Sequence, residues 1–383
     1  MPARKSPLRM FLAACIIAAG ACLVVGILVA GADKANATGR DFIQYWALEQ
    51  QLAHGANPYD SDAILRLQRS AGLDKNEPII NFSPPVAWIF FLPLGWLSAK
   101  SGLIGWLMLL LVCLAVSVWL LWLLHGRPES RYHVIALGFP PALWCLVAGQ
   151  LGIFFLIEVV LFTLLVKTRP WLAGASLVLF AMKPQLFLPF FLVLALWSIA
   201  RRQFAVMAGF ALAVAASCAA TYSFDRQIWQ QYHEMLHTQK VVDMFVPTVG
   251  MALRFAIDRR ATWIEFIFEA AGCLWAAWYF LRRRAQWDWS TDGALVLIVS
   301  MACTPYSWFT DQALLFPPLL VGLYKAQHSL IALLLFGLVC LGGMVGLIAQ
   351  LPLTGAFYVW TAPAWLLWYL YAVRRPEVDG VAA

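Results

Sequence analysis

Two stretches of this chain bring acids, bases and hydrogen-bonding side chains together at spacings that chemistry can use. The first is 40-RDFIQYWALEQQLAHGANPY-59, in which Arg40 and Asp41 stand directly before an aromatic-rich run. A carboxylate there can take a proton from a hydroxyl group. On the residues alone it reads equally as a helix cap or a surface carboxylate on an interfacial helix. The second is 233-HEMLH-237, which fits H-E-x-x-H. On a helix His233 and His237 share one face, where they can hold zinc, with Glu234 beside them as general base; that is the pattern of a metalloprotease. The usual third ligand is not evident. Glu265 and Glu269 lie in or near an apolar run, and Asp243 follows closely in sequence. The flanking Gln230, Gln231, Thr238, Gln239 and Lys240 also lack the apolar packing that would hold a zinc helix rigid.

Further polar residues interrupt otherwise apolar sequence. Gln150 follows a glycine at a tight apolar turn, Lys183 breaks the run Leu-Phe-Ala-Met-Lys-Pro-Gln, and Arg254 sits in an apolar stretch. Tyr306 and Asp311 lie in a loop bounded by Pro305 and Pro317. A cation at the end of a buried span is costly unless it is paired or functional. Together with Asp41, these residues allow one cavity holding both a carboxylate and phosphate-binding cations. Glu158, inside an apolar run, reads as structural, with a polar partner across the bundle. Asp288 and Asp292 read as helix-start residues, and Asn36-Ala-Thr38 fits an N-glycosylation acceptor pattern. The 8 cysteines form no C-x-x-C pair and lie in apolar runs, so they read as small buried hydrophobes.

The elements that position these residues follow from composition. Of 383 residues, 62% are apolar and 12% charged, against about 25% charged in an average soluble domain. Such a chain cannot cover a water-facing surface, so lipid is its solvent. Its apolar runs are continuous, unlike the alternating strands of about 9–11 residues in a barrel, and therefore predict helices. The net charge of +7 is clustered between apolar runs, as in cytoplasmic loops. No basic stripe is interleaved with aromatics, which excludes nucleic acid. No Walker loop or nucleotide-binding fold is present either. The whole chain, 1–383, reads as a single integral membrane domain of about twelve spans: 10–31, 101–124, 134–148, 150–166, 171–182, 185–200, 203–221, 261–281, 291–304, 312–324, 328–349 and 356–373. Several are short and imply tilted or broken helices around a cavity, an arrangement that also suits a transporter or flippase. Two inverted halves are not visible.

The segment 82–99, broken by Pro84, Pro85 and Pro93, is expected at the interface. Lysines and arginines then place both termini in the cytoplasm, and the long polar stretches 32–81 and 222–260 outside. In the first of these, Phe42, Tyr45, Trp46 and Leu52 form one face of a helix lying on the membrane, with Glu49, Gln50 and His54 toward water. Gly55-Ala56-Asn57-Pro58 ends that helix, and Asp60 or Ser61 caps the next.

Four blocks carry a family resemblance: 41-DFIQYWALEQQLAHGANPY-59, 81-NFSPPVAWIFFLPLGWL-97, 149-GQLGIFFLI-157 with 183-KPQLFLPF-190, and 305-PYSWFTDQALLFPPLL-320. In order and spacing they resemble glycosyltransferase family 87, the alpha-mannosyltransferase-like bacterial enzymes of the C-type superfamily, although Ser83 stands where that family commonly has Tyr. The resemblance covers roughly residues 10–345. It implies an all-α, polytopic C-type glycosyltransferase fold in the bacterial cytoplasmic (inner) membrane. It implies transfer of a sugar, mannose being the best-known donor sugar and arabinofuranose another in related enzymes, from a polyprenyl-phosphate donor to a lipid or glycan acceptor on the extracytoplasmic side. Asp41 would be the general base, and a single base would invert the anomeric centre. Lys183, Arg254 and Arg40 are then the expected donor-phosphate contacts. Asn57, Tyr59, Gln150, Gln185, His233, Tyr306 and Asp311 are the expected sugar or acceptor contacts. No carboxylate cluster surrounds Asp41, which favours a reaction without metal or other cofactor, although Asp60, Asp62 and Asp311 leave a divalent ion open.

Overall fold

The computed structural model describes residues 41–238 and 244–374. The expected first span, 10–31, lies outside those residues, as do Arg40, Lys240 and Asp243. Every regular element among the described residues is helical. In chain order the α-helices are α1 (Phe42–Ala53), α2 (Ser61–Ser70), α3 (Ala99–Leu124), α4 (Pro140–Ala148), α5 (Gly152–Leu165), α6 (Pro170–Ala175), α7 (Leu188–Arg201), α8 (Phe204–Phe224), α9 (Ile228–Thr238), α10 (Val249–Ile257), α11 (Ile267–Arg283), α12 (Asp292–Cys303), α13 (Phe316–Lys325), α14 (Leu330–Ile348) and α15 (Thr361–Val373).

Among the described residues, 5 helical segments are long and apolar enough to cross a membrane: Ala99–Leu124, Pro184–Arg201, Phe204–Phe224, Thr262–Gln286 and Leu330–Ile348. The chain is thus an all-α, polytopic membrane protein. Helix lengths do not reproduce about twelve full spans. The apolar segments expected at 134–148, 150–166, 171–182 and 291–304 are the shorter helices Tyr132–Ala148, Gly152–Leu165, Pro170–Met182 and Asp292–Cys303. Proline accounts for much of this. It stands at the first helical positions of α4, α6, α7 and α13, where its missing N–H and fixed φ open a helix but cannot continue one.

The long helices have two apolar faces with different neighbours. Leu103, Trp106, Leu107, Leu110, Leu114 and Leu121 of α3 are buried, while Met108, Val112 and Trp119 are exposed. The buried set recurs at three- and four-residue steps and so forms the stripe that packs inward. The exposed set faces what a membrane would supply. Its N-terminus is capped by Ser98, whose hydroxyl accepts the Ser101 N–H at 3.2 Å.

The expectation that α1 has a water-facing side of Glu49, Gln50 and His54 is corrected at Glu49, while His54 is exposed as expected. Phe42, Ile43, Tyr45, Trp46, Ala47, Leu48, Glu49 and Leu52 are all buried. The prolines of 82–99 break that segment into the short 3₁₀ turns Trp88–Phe90, which packs on α8, and Leu92–Trp96, which folds over α1. Trp46 Nε1 and Gln50 Nε2 both donate to the Leu97 carbonyl, at 2.9 and 2.7 Å. Glu49, expected toward water, is 0% exposed beneath this cover. The cap on α2 is Asp60, whose Oδ1 accepts the N–H groups of Asp62 and Ala63, both at 3.0 Å. Glu158 finds its partner in the backbone: its Oε1 accepts the Leu179 N–H at 2.7 Å.

Candidate functional site

The cavity with the chemistry begins where α1 meets the turn after α4. Gly149 ends α4 in the left-handed conformation at φ 71°. There its N–H and that of Gln150 both donate to the Cys145 carbonyl, at 2.8 and 3.0 Å. A side chain at this position would be strained and its Cβ would come within 2.8 Å of Phe42 Cβ. The glycine therefore lets the start of α1 press against the turn. Close by, a Cβ on Gly152 would meet the Thr310 carbonyl oxygen at 2.0 Å, so α5 and the 3₁₀ turn Phe309–Leu315 are also in direct backbone contact. Three sequence-distant segments are thus drawn to one point.

Asp41 stands at the N-cap of α1 but caps nothing with its side chain. Its Oδ2 instead accepts Gln150 Nε2 at 2.6 Å, and Gln150 Oε1 accepts the Tyr45 hydroxyl at 2.7 Å. Asp41 is half-buried. Burial pushes its carboxyl up from the ordinary 3.8, while the Gln150 amide and the Lys183 and Lys75 ammonium groups pull it back and Asp311 adds a smaller push upward.

Asp41, Tyr45, Lys75, Gln150, Lys183, Gln185 and Tyr306 line one cavity of about 780 Å³. Lys183 Nζ donates to Asp311 Oδ1 at 2.7 Å, and the Trp308 N–H donates to Asp311 Oδ2 at 2.9 Å. Asp311 is 0% exposed. It stands behind the wall as the buried counter-ion of a lysine at the cavity edge, and both of its oxygens are engaged. That differs from the sugar or acceptor contact expected for it.

Arg254 occupies a different position. Its Nη1 donates to Glu265 Oε2 at 3.0 Å, and its Nε and Nη2 donate to the Arg259 carbonyl at 2.8 and 2.6 Å. It lines an adjoining pocket of about 190 Å³, which shares Gln185, Met244 and Tyr306 with the larger cavity. Its partners tie α10 to the start of the helix that follows.

The remaining expected contacts are scattered. Asn57 Oδ1 accepts the Tyr59 N–H at 2.9 Å and so shapes the turn between α1 and α2. Tyr59 is buried, accepting Trp88 Nε1 at 3.3 Å and packing on Tyr232 with ring centroids 5.5 Å apart. It is Tyr232, not its neighbour His233, that reaches the cavity wall. His233 is exposed on α9, with its Nε2 3.1 Å from His237 Nε2, and Glu234 accepts Gln230 Nε2 at 2.9 Å. Among the described residues, no group of three His, Cys, Asp or Glu side chains converges there or elsewhere to hold a metal.

Two residues of the cavity wall, Lys75 and Tyr45, lie outside the set of site residues expected from the sequence. Lys75 lies in the same polar stretch as Asp41 but far along it, and only the folding back of the segment 75–84 brings it to the wall. Tyr45 reads as one more aromatic on an interfacial face. Its position one helical turn after Asp41 was the available signal.

A family model described as glycosyltransferase family 87 matches residues 82–305, more than half of the chain. The match includes Gln150, Lys183, Gln185, His233 and Arg254, and begins after Asp41, Asn57 and Tyr59. No curated protein and no solved structure matches the chain.

Proposed function

The chain belongs to glycosyltransferase family 87, and from that premise we propose that it is a polyprenyl-phosphate-dependent transferase with Asp41 as its base. It moves a sugar, mannose first among the candidates, to a lipid or glycan acceptor on the extracytoplasmic side of the bacterial cytoplasmic membrane. The observation that carries this reading is the juxtaposition of Asp41, tethered by Gln150 at 2.6 Å, with Lys183 on the wall of one cavity of about 780 Å³.

The chemistry is a single displacement. The acceptor hydroxyl gives its proton to Asp41 as its oxygen attacks the anomeric carbon. The bond from that carbon to the phosphate oxygen breaks, and polyprenyl phosphate leaves with the electron pair. Attack from the face opposite the leaving group inverts the centre, and no covalent sugar–enzyme species forms. Negative charge grows on the departing phosphate, so fixed cations lower the barrier. Lys183 is suited to this because Asp311 pre-orients its ammonium group, and Lys75 supplies a second cation on the same wall. Gln185 and Tyr306 offer polar contacts to sugar or acceptor hydroxyls. Arg254, with Glu265 and the Arg259 carbonyl as partners, shapes the adjoining pocket. Burial raises the Asp41 carboxyl, which makes it a stronger base once ionised and sets an acid limb on the rate.

The test is sugar transfer in membranes supplied with a panel of labelled polyprenyl-phosphate sugars. Asp41→Asn keeps the amide-sized side chain and removes the base, so transfer is expected to fall about 10²–10⁴-fold. Full transfer by both Asp41→Asn and Asp41→Ala would remove Asp41 from the role.

A further inference from the structure

We propose that Tyr45 and Gln150 are positioning residues, with Tyr45 selecting the orientation of the Gln150 amide that presents its N–H to Asp41. This rests on the reading of Asp41 as the base. The two ends of a primary amide are nearly equal in size, but a carboxylate distinguishes them sharply: the N–H end attracts it and the oxygen end repels it. Something must therefore bias the amide. The Tyr45 hydroxyl does so by donating to Oε1 at 2.7 Å, which turns Nε2 toward Asp41 Oδ2 at 2.6 Å. With Oδ2 engaged, Oδ1 is the oxygen assigned to the acceptor hydroxyl.

The surroundings immobilise each link. The Tyr45 ring, 2% exposed, stacks on Trp106 with centroids 5.3 Å apart and an interplanar angle of 19°. The same indole donates its Nε1–H to the Gly149 carbonyl at 2.9 Å, so one side chain holds both the tyrosine ring and the backbone preceding Gln150. Cys145 Sγ donates to the Gln150 carbonyl at 2.9 Å. Gln150 is 3% exposed, and a buried amide held from both ends exchanges little with water. This is more order than a residue needs for loose contact with a sugar. It amounts to a fixed support for one carboxylate.

The support also tunes the base. The charged and titratable groups acting on Asp41 are Lys183 and Lys75, which favour the carboxylate, Asp311, which opposes it, and the hydroxyls of Tyr45 and Tyr306, which its charge reaches. Only the Gln150 contact depends on the Tyr45 hydroxyl. Removing that contact takes away a stabiliser of the ionised form, so the carboxyl titration must move to higher pH.

The experiment uses full-length protein in lipid nanodiscs. Infrared difference spectra against Asp41→Asn isolate the Asp41 carboxyl band, which is followed through a pH titration in wild type, Tyr45→Phe and Gln150→Leu. This reading needs no donor. In parallel, the pH dependence of transfer is measured with polyprenyl-phosphate mannose. The Asp41 midpoint is expected to rise by about one pH unit in Gln150→Leu and by less in Tyr45→Phe. The acid limb of transfer should move with it, and Tyr45→Phe, which keeps the stacked ring, should recover most of its rate at high pH. Unmoved midpoints in both variants, with rates lowered equally at all pH values, would reduce the pair to packing and overturn the proposal. A shift in Gln150→Leu alone would overturn the role of Tyr45. Full transfer by Asp41→Asn would instead defeat the underlying assignment of the base, an outcome independent of the variants' midpoints.

Discussion

Lys183 and Asp311 are conspicuous in an apolar sequence for the same reason, and they end in different places. The lysine reaches the cavity edge, and the aspartate is its buried support. Removing one partner of such a pair strands a charge, at a cost of about 3–5 kcal/mol. Asp311→Ala is accordingly expected to unfold at markedly lower temperature in detergent. The double change Lys183→Met with Asp311→Leu should recover much of that stability while leaving transfer impaired, as comparison of thermal unfolding with transfer would show. Glu49 is a second buried acid, and among the described residues neither of its carboxyl oxygens has a hydrogen-bond partner. Burial pushes its carboxyl well above the ordinary 4.5. The folded protein therefore holds a proton that the unfolded chain releases above that value, and stability drops as pH climbs from 4.5 toward the folded pKa. Glu49→Gln should be most stabilised relative to wild type at the upper end of that window. Parallel unfolding curves for the two proteins across it would refute the assignment.

At the scale of elements, the site depends on a few close backbone approaches. Gly149 is the clearest, because its φ of 71° and its contact with Phe42 both exclude a side chain. Gly149→Ala should cost about 1–2 kcal/mol for the left-handed backbone alone, with more from the clash. It should also depress transfer beyond what the lost stability explains, because the turn carries Gln150. Measuring unfolding and transfer on the same preparation separates the two effects. Element identity was largely readable beforehand. The apolar runs became helices, Asp60 became the cap, and the prolines opened new helices as their chemistry requires. The burial of α1 was not readable. An aromatic-rich amphipathic segment has the same pattern whether it rests on lipid or beneath another loop, and only the folded-back turn Leu92–Trp96 decides between them.

For the whole molecule, charge distribution predicts a direction across the membrane. Asp62 on α2 and Glu129 in the connection after α3 are both exposed, and they belong to stretches expected on opposite sides. In spheroplasts, Asp62→Cys should react with a membrane-impermeant thiol reagent, and Glu129→Cys only after permeabilisation; the reverse pattern would invert the topology and move the site to the cytoplasm. The sequence by itself determined the solvent, the helical class, the order of the apolar segments and a short set of polar residues worth watching. Those follow from the hydrophobic content of each segment and from the expense of a charge in an apolar run, both local properties. Only the tertiary structure decided which of those residues meet. Asp41 and Gln150 are 109 residues apart and lie within a hydrogen bond, Lys183 and Asp311 are 128 apart and form an ion pair, and Arg254 turns to its own neighbours. Such encounters are set by how helices of similar composition pack, and lipid-soluble side chains specify that through shape and close backbone contact rather than through any pattern of polarity along the chain.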